Sequence, residues 1–308
     1  MELELCKHVM ENEKKRAAYD ALAKEVFGLS FEAWYKNGFW SDTNQPYTLF
    51  DGERAVANVS INRMHVEYEG KIRNYIQLGT VMTAPDCRGQ GLAARLMEEV
   101  LADVRGCCDA VFLFANRSVL DFYPRFGFRR QAQYGYALTL EKSTGTDILQ
   151  NKTPVQDSHL ANAGVRKLVM SDAGDIALLR RCYARKNPFS RLQAIDNFGL
   201  LMFYCGSIFA DCVYYCEALD AVMIAEAGEN TLRCYDIFCE AGKGLRAVLE
   251  VFLPFFGAVG TVSFGFTPKE AGLVMRRIED DDDALFVLDG GENIFSGDRL
   301  YFPELSHT

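Results

Sequence analysis

Residues 80–100 read TVMTAPDCRGQGLAARLMEEV. A β-branched run leads into a turn carrying Gly89 and Gly91, and a helix follows. Leu92, Leu96, Met97, Val100, Leu101 and Val104 recur at the i, i+4, i+8 spacing of one buried stripe, while Arg95, Glu98, Glu99 and Asp103 face away. A strand, a thin turn and a helix start make an anion site, because the first helical N–H groups and the positive dipole end point outward. The glycines let a ligand approach the backbone closely, and Arg88 adds charge-assisted hydrogen bonds.

Upstream, residues 11–28 read as a helix with Ala18, Leu22 and Val26 on one stripe, and 30–46 as a short helix and an aromatic loop. Strands are expected at 47–50, 54–70 and 71–85, with Glu69-Gly70 turning the last two into a meander. Downstream come a strand at 110–115, a helix around SVLDFYPRF and one strand over 128–140. Residues 142–164 are polar and aperiodic, which reads as a linker. A second cycle follows: a strand at 165–170, a helix capped by Ser171 or Asp172, a helical stretch near 191–204 and strand-rich sequence over 208–239. It closes with a helix at 243–252, strands at 259–266 and 284–288, and an acidic turn at 279–283. Strands and helices alternating only after an antiparallel block indicate a mixed α/β sheet. The order of elements repeats, placing Cys239, Gly242 and Gly244 in the register of Arg88, Gly91 and Ala93; this implies an ancient duplication.

The totals fit a globular chain of two domains: 308 residues, 49% hydrophobic and 24% charged. No apolar run reaches membrane-spanning length, and the charged N-terminal segment lacks a signal-peptide core, so a cytoplasmic location is the expectation. A formal net charge of −9 opposes binding to nucleic acid or anionic membrane. The ten cysteines form no C-x-x-C and the four histidines cluster with none of them. Reduced thiols packing as small hydrophobes are expected, and no metal.

Three phosphate-loop readings compete at the turn. A P-loop needs G-x-x-x-x-G-K-[ST], which is missing here. Gly89, Gly91 and Ala94 fit the dinucleotide fingerprint, but Pro85 and Asp86 separate strand from turn and no acidic residue closes the next strand. The third reading is Arg88-x-x-Gly91-x-Ala93 as a pyrophosphate cradle. A plain tight turn also satisfies this segment taken alone.

Residues 115–130, ANRSVLDFYPRFGFRR, carry Asn116, then Tyr123, then Phe126-Gly127-Phe128. Together with R-x-x-G-x-A about 25 residues upstream, this resembles the GNAT superfamily of N-acetyltransferases over roughly residues 10–141. VMTAPDCRGQGLA with FYPRFGF, followed by a second acetyltransferase-like half, is most similar to the enhanced-intracellular-survival type. The resemblance implies two tandem acetyltransferase-like domains, each a mixed, mostly antiparallel sheet flanked by helices. A catalytic domain would span 1–141 and a degenerate one 165–308.

The resemblance also implies an acetyl-CoA site. Val81, Met82 and Thr83 would align the pantetheine arm, and Gly89, Gln90, Gly91, Leu92, Ala93 and Ala94, with Arg88, would cradle the pyrophosphate. Asn116, Ser118 and Val119 would touch the arm from the other side. An N–H near Met82 would stabilise the oxyanion, and Tyr123 would protonate the departing thiolate. Trp34, Phe39 and Trp40 are candidates for walls of the amine pocket. Asp42 and Asp121 are candidate bases, each competing with a surface or capping role. The resembled type takes its base, a chain-terminal carboxylate, from a third domain; this sequence has two domains, ending in LYFPELSHT at Thr308.

The expected activity is acetyl transfer from acetyl-CoA to a primary amine of a small molecule or peptide (aminoglycoside, polyamine or lysine-like). The alternative is a non-catalytic acyl-CoA-binding regulatory protein. The second half lacks the turn arginine and an Asn…Tyr pair, so its expected role is to cover the cleft or support a homo-oligomer.

Overall fold

The computed structural model describes residues 3–140 and 164–308. Its first part runs β1 (Glu4–Cys6), α1 (Glu13–Phe27), α2 (Glu32–Lys36), β2 (Asn44–Asp51), β3 (Arg54–Tyr68), β4 (Lys71–Thr83), α3 (Leu92–Val104), β5 (Ala110–Ala115), β6 (Phe128–Arg130) and β7 (Gln133–Thr139). After the undescribed stretch, which holds nearly all of the expected linker, come β8 (Val165–Lys167), α4 (Ala173–Tyr183), β9 (Leu192–Ile195), α5 (Phe198–Cys205), β10 (Val213–Cys216), β11 (Ala221–Ala227) and β12 (Thr231–Phe238). The last elements are α6 (Leu245–Phe252), β13 (Thr261–Phe264), β14 (Val274–Ile278) and β15 (Ala284–Leu288).

Two mixed, mostly antiparallel sheets result. One has eight strands in the order β1-β2-β3-β4-β5-β15-β6, with β9 added on β3; the other has seven, in the order β14-β7-β13-β12-β11-β10-β8. The halves exchange a strand: β15 lies between β5 and β6, and β7 between β13 and β14. The single strand expected over 128–140 is therefore two strands in different sheets, broken at Gln131 and Ala132. Gln131 N–H still bonds Leu285 O at 2.8 Å, so the chain leaves the first sheet only after that contact.

Three other expectations change. The helix around SVLDFYPRF is two short 3-10 turns, Arg117–Val119 and Tyr123–Phe126, because Pro124 and Gly127 interrupt any longer run. The helical stretch near 191–204 starts as β9, which pairs with β3, before α5 begins at Phe198. Strand β14 was not expected; its VMRRI has no alternation to announce it.

Local signals set the boundaries of other elements. Asn12 caps α1 by accepting from Lys15 N–H at 3.1 Å, and Gly28 ends it at φ 70°. Glu69 and Gly70, both at positive φ, close the β3–β4 hairpin. On α3, Leu96, Met97, Val100 and Val104 are buried against Val59, Ile61, Leu78 and Leu113. Each such side chain contributes up to about 1.5–3 kcal/mol, which holds the helix across the sheet face. Among the described residues, no helix is long and apolar enough to cross a membrane.

Candidate acyl-transfer site

Strands β4 and β5 pair in parallel only from Tyr75–Ala110 to Leu78–Leu113 and then part. Gly79, Thr80, Val81, Met82 and Thr83 border the gap on one side, and Phe114, Ala115 and Asn116 on the other. A bulge shapes the β4 border: the register with β3 shifts between Asn58 and Ser60, and Thr80 sits at φ 49°. A left-handed β-branched residue costs about 1–3 kcal/mol and persists only where its surroundings hold it.

The ladder decides which amides face the gap. A two-residue turn makes Tyr68–Lys71 a hydrogen-bonded pair, and alternate pairs follow up to Ser60–Gly79. Beyond the bulge Ala84 N–H bonds Val56 O at 2.9 Å, so Asn58–Met82 is again such a pair. Met82 therefore spends its N–H on β3, and its side chain, 1% exposed, packs against the α1–α2 aromatics. The amides of Val81 and Thr83 are the ones turned from β3. Sequence shows a strand but not a bulge, so the parity is legible only in the structure.

At its far end the gap meets the turn. Gly89 and Gly91 lie at φ 76° and 77°, with open space where a Cβ would stand. Gly91 is the N-cap of α3, no side chain caps the helix, and its first turn holds no acidic residue. The N–H groups of Leu92, Ala93 and Ala94 are left at an unshielded positive end. Arg88 is exposed and folds its Nε toward Thr83 O at 3.4 Å, and Gln90 Nε2 donates to Asp86 O at 3.4 Å. Arg54 grips Asp86 through two bonds of 2.7 Å and holds that carboxyl at about 2.

On the β5 side, Asn116 Oδ1 accepts from Ser118 N–H at 3.0 Å, and Val119 N–H bonds Asn116 O at 3.1 Å. Tyr123 is 4% exposed, among Phe122, Phe128 and Phe286, and burial pushes its phenol up to about 12. It is protonated at any ordinary pH.

Asp42 and Asp121 are exposed surface residues. Trp34 and Trp40 are 8% and 5% exposed and stack on each other with centroids 5.5 Å apart. Trp34 Nε1 donates to Gly199 O at 2.6 Å, and Phe203 of α5 stacks on Phe31. Phe39 meets Phe198 edge to face. The aromatic loop is thus the seam with the second half, and little of its surface is left for a ligand.

Sequence did not assign the segment after Leu300. Glu304 N–H bonds Gly265 O at 2.9 Å and Tyr301 N–H bonds Thr267 Oγ1 at 2.7 Å, just where β13 has stopped pairing with β12. The second half's counterpart of the gap is filled by this segment. The chain then crosses to the first gap. Gln77 in its satisfied orientation donates to Ser306 O at 2.8 Å and accepts from Thr308 N–H at 2.9 Å. Thr308 lies against the Cα of Gly79, leaving no room for a Cβ. His307 stacks on Phe114, with Nδ1 3.2 Å from Asp283 Oδ2, while Tyr204 donates to His307 O at 2.8 Å. Asp283 immediately precedes the exchanged strand β15, so an acidic run that reads as a solvated turn ends in a site contact.

In the second half the helix after β12 is capped at Gly244, which corresponds to the Gly91 cap of α3. Ala241 then stands where Arg88 does, which shifts the expected register of Cys239, Gly242 and Gly244 by two. No cation occupies that place. Asp236 occupies the place of Thr80, two residues past the last parallel pair, Cys234–Phe264. Burial pushes its carboxyl up to about 7, against bonds from Asn187 Nδ2 at 2.6 Å and Ile237 N–H at 2.9 Å.

Residues 10–130 match the family described as an acetyltransferase (GNAT) domain. This segment is similar to GNAT acetyltransferase domains. No curated protein matches the chain. Among solved structures, the chain is similar to a probable N-acyltransferase from Enterococcus faecalis V583 at 14% identity, covering 93% of this chain and 72% of that one with a TM-score of 0.59. It is also similar to Eis1 from Mycobacterium abscessus, at 14% identity, coverage of 92% and 73%, and TM-score 0.56. A GCN5-related N-acetyltransferase from Kribbella flavida gives 15%, 93% and 70%, and 0.53. At such identities the likeness is one of fold, and it extends over both sheets of the chain.

Proposed function

We propose that the chain transfers an acetyl group from acetyl-CoA to a primary amine by direct attack on the thioester. The observation that carries this reading is the continuity of the β4–β5 gap with the uncapped start of α3. A ligand long enough to place a thioester between the strands and a diphosphate at a helix end fits that path.

In this reading Val81 and Thr83 bond the pantetheine arm, and Asn116, Ser118 and Val119 border it. Arg88 swings from Thr83 O to the pyrophosphate, which lies on the amides of Gly89, Gln90, Gly91, Leu92, Ala93 and Ala94. As the amine attacks, charge develops on the carbonyl oxygen and the Val81 N–H stabilises it, an interaction often worth about 3–4 kcal/mol. The departing sulfur receives a hydrogen bond from Tyr123. A phenol held near 12 is a weaker acid than a thiol near 8.5, so Tyr123 keeps its proton and stabilises the departing thiolate by that hydrogen bond. Neutralising a lysine-like amine at pH 7 costs about 4–5 kcal/mol. His307 and Asp283, at the mouth of the gap, are the groups sited to take that proton.

The second half closes its own gap with the segment from Tyr301 to Glu304, which supports a structural part for it. Its acceptor-side contribution is the placement of His307 and Thr308. Thiol release from acetyl-CoA with polyamines, aminoglycosides and lysine peptides tests the proposal. Tight acetyl-CoA binding without release for any amine would instead make the protein a regulatory acyl-CoA binder.

A further inference from the structure

The bulge in β4 is held by polar side chains that the acyl-transfer reading leaves unused. Asn58 is fully buried, as are Thr48 and, to 1%, Ser60 and Tyr19. The Asn58 amide is saturated on three sides: Oδ1 accepts from Thr48 Oγ1 at 2.8 Å, and Nδ2 donates to Ser60 Oγ and to Thr80 O, both at 2.9 Å. The Tyr19 phenol completes the cluster: burial pushes it up, and the Ser60 and Thr80 hydroxyls pull the other way. A strand interior that places Asn and Ser where its neighbours Ala57, Val59 and Ile61 are apolar demands an explanation, since half-satisfied buried polar groups destabilise a sheet.

The explanation lies in the trans peptide linking Thr80 to Val81. Its carbonyl oxygen and its N–H point to opposite sides of one plane. Asn58 captures the oxygen, so the Val81 N–H is directed away from Asn58 and β3. The same bond holds Thr80 at φ 49°, which its branched side chain resists. We propose that Asn58 is a positioning residue that aims the Val81 amide at the thioester oxygen; this rests on the acyl-transfer reading of the gap. Released from Asn58, Thr80 relaxes toward the β region and the donor turns out of line.

The test compares wild type, Asn58→Ala and Asn58→Ala/Thr80→Gly for kcat, amine KM, acetyl-CoA Kd and the crystal structure around residue 80. Asn58→Ala is expected to lower kcat roughly ten- to a hundredfold, the range for a displaced oxyanion donor. KM and Kd should stay within about threefold of wild type, because the Thr83 and Asn116 contacts to the arm and those to the diphosphate remain. Glycine tolerates the left-handed conformation, so the double variant should recover part of the lost kcat. Asn58→Ala at wild-type kcat, or a double variant no better than the single, overturns the proposal. If the single variant does not fold and the double one does, the strain argument stands; if neither folds, Asn58 serves the core alone and the proposal fails. If wild type turns over no amine, the acyl-transfer reading is lost, while the structure still reports on Asn58: a Thr80 left at positive φ in Asn58→Ala contradicts its role.

Discussion

The imidazole of His307 lies flat on the ring of Phe114, centroids 3.6 Å apart and planes 17° from parallel. Phe114 borders the gap on β5, and the next residue, Thr308, rests on Gly79 of β4. Two consecutive residues thus bridge the strands where they part. His307→Ala should lower kcat roughly tenfold, by the cost of a misplaced group near the reacting centre, with acetyl-CoA Kd unchanged. Gly79→Ala should do the same by displacing Thr308. Steady-state kinetics with calorimetry checks both, and wild-type turnover in either variant would remove this segment from the reaction.

Tyr123→Phe should cut kcat roughly a hundredfold, within the range for losing one hydrogen bond to developing charge, and leave CoA affinity intact. Because the wild-type phenol is held near 12, kcat should show no alkaline loss from this group below about pH 11. A pH–rate profile of wild type and variant tests this. A falling limb near pH 9 present only in wild type would contradict the burial of Tyr123.

Arg88→Ala should weaken acetyl-CoA binding roughly tenfold or more, the usual effect of losing charge-assisted bonds to phosphate. Dephosphorylated pantetheine fragments should bind wild type and variant alike. The turn that carries Arg88 keeps its Arg54–Asp86 pair down to acid: the carboxyl is depressed from 3.8 to about 2, so its contribution is present above 3.8 and lost as pH falls through 2. Calorimetric titration at pH 7 measures the Arg88 effect directly.

Asp236 is the opposite case. Its folded value is raised from 3.8 to about 7, so the folded chain binds the extra proton and stability falls as pH rises from about 4 to 7, then stays level. Asp236→Asn should raise stability above pH 7 by an amount on the order of 1–3 kcal/mol and change nothing near pH 4. Thermal unfolding at the two pH values checks the sign.

Local chemistry made much of this legible. The glycine pair, the α3 stripe and the Glu69-Gly70 turn each state their geometry in a few residues, and the structure obeys them. The bulge at Thr80 is silent, since a threonine at positive φ looks like any strand residue, so which amide near Met82 faces the gap is legible only in the structure. The exchange of β7 and β15 is equally silent. Pairing partners far apart in sequence are chosen by the whole sheet, and Gln131 and Ala132 carry no turn signal. Trp34 and Trp40 advertise an aromatic cluster but not its neighbour, α5, which turns a candidate pocket wall into a seam.

The most direct measurement is a crystal structure with bound CoA. The pantetheine arm should lie between β4 and β5, bonded to Val81 and Thr83, with the diphosphate on the amides of residues 89–94 and Arg88 turned onto it. CoA seated elsewhere, with the β4–β5 gap closed by side chains, would rule out acyl transfer in this gap.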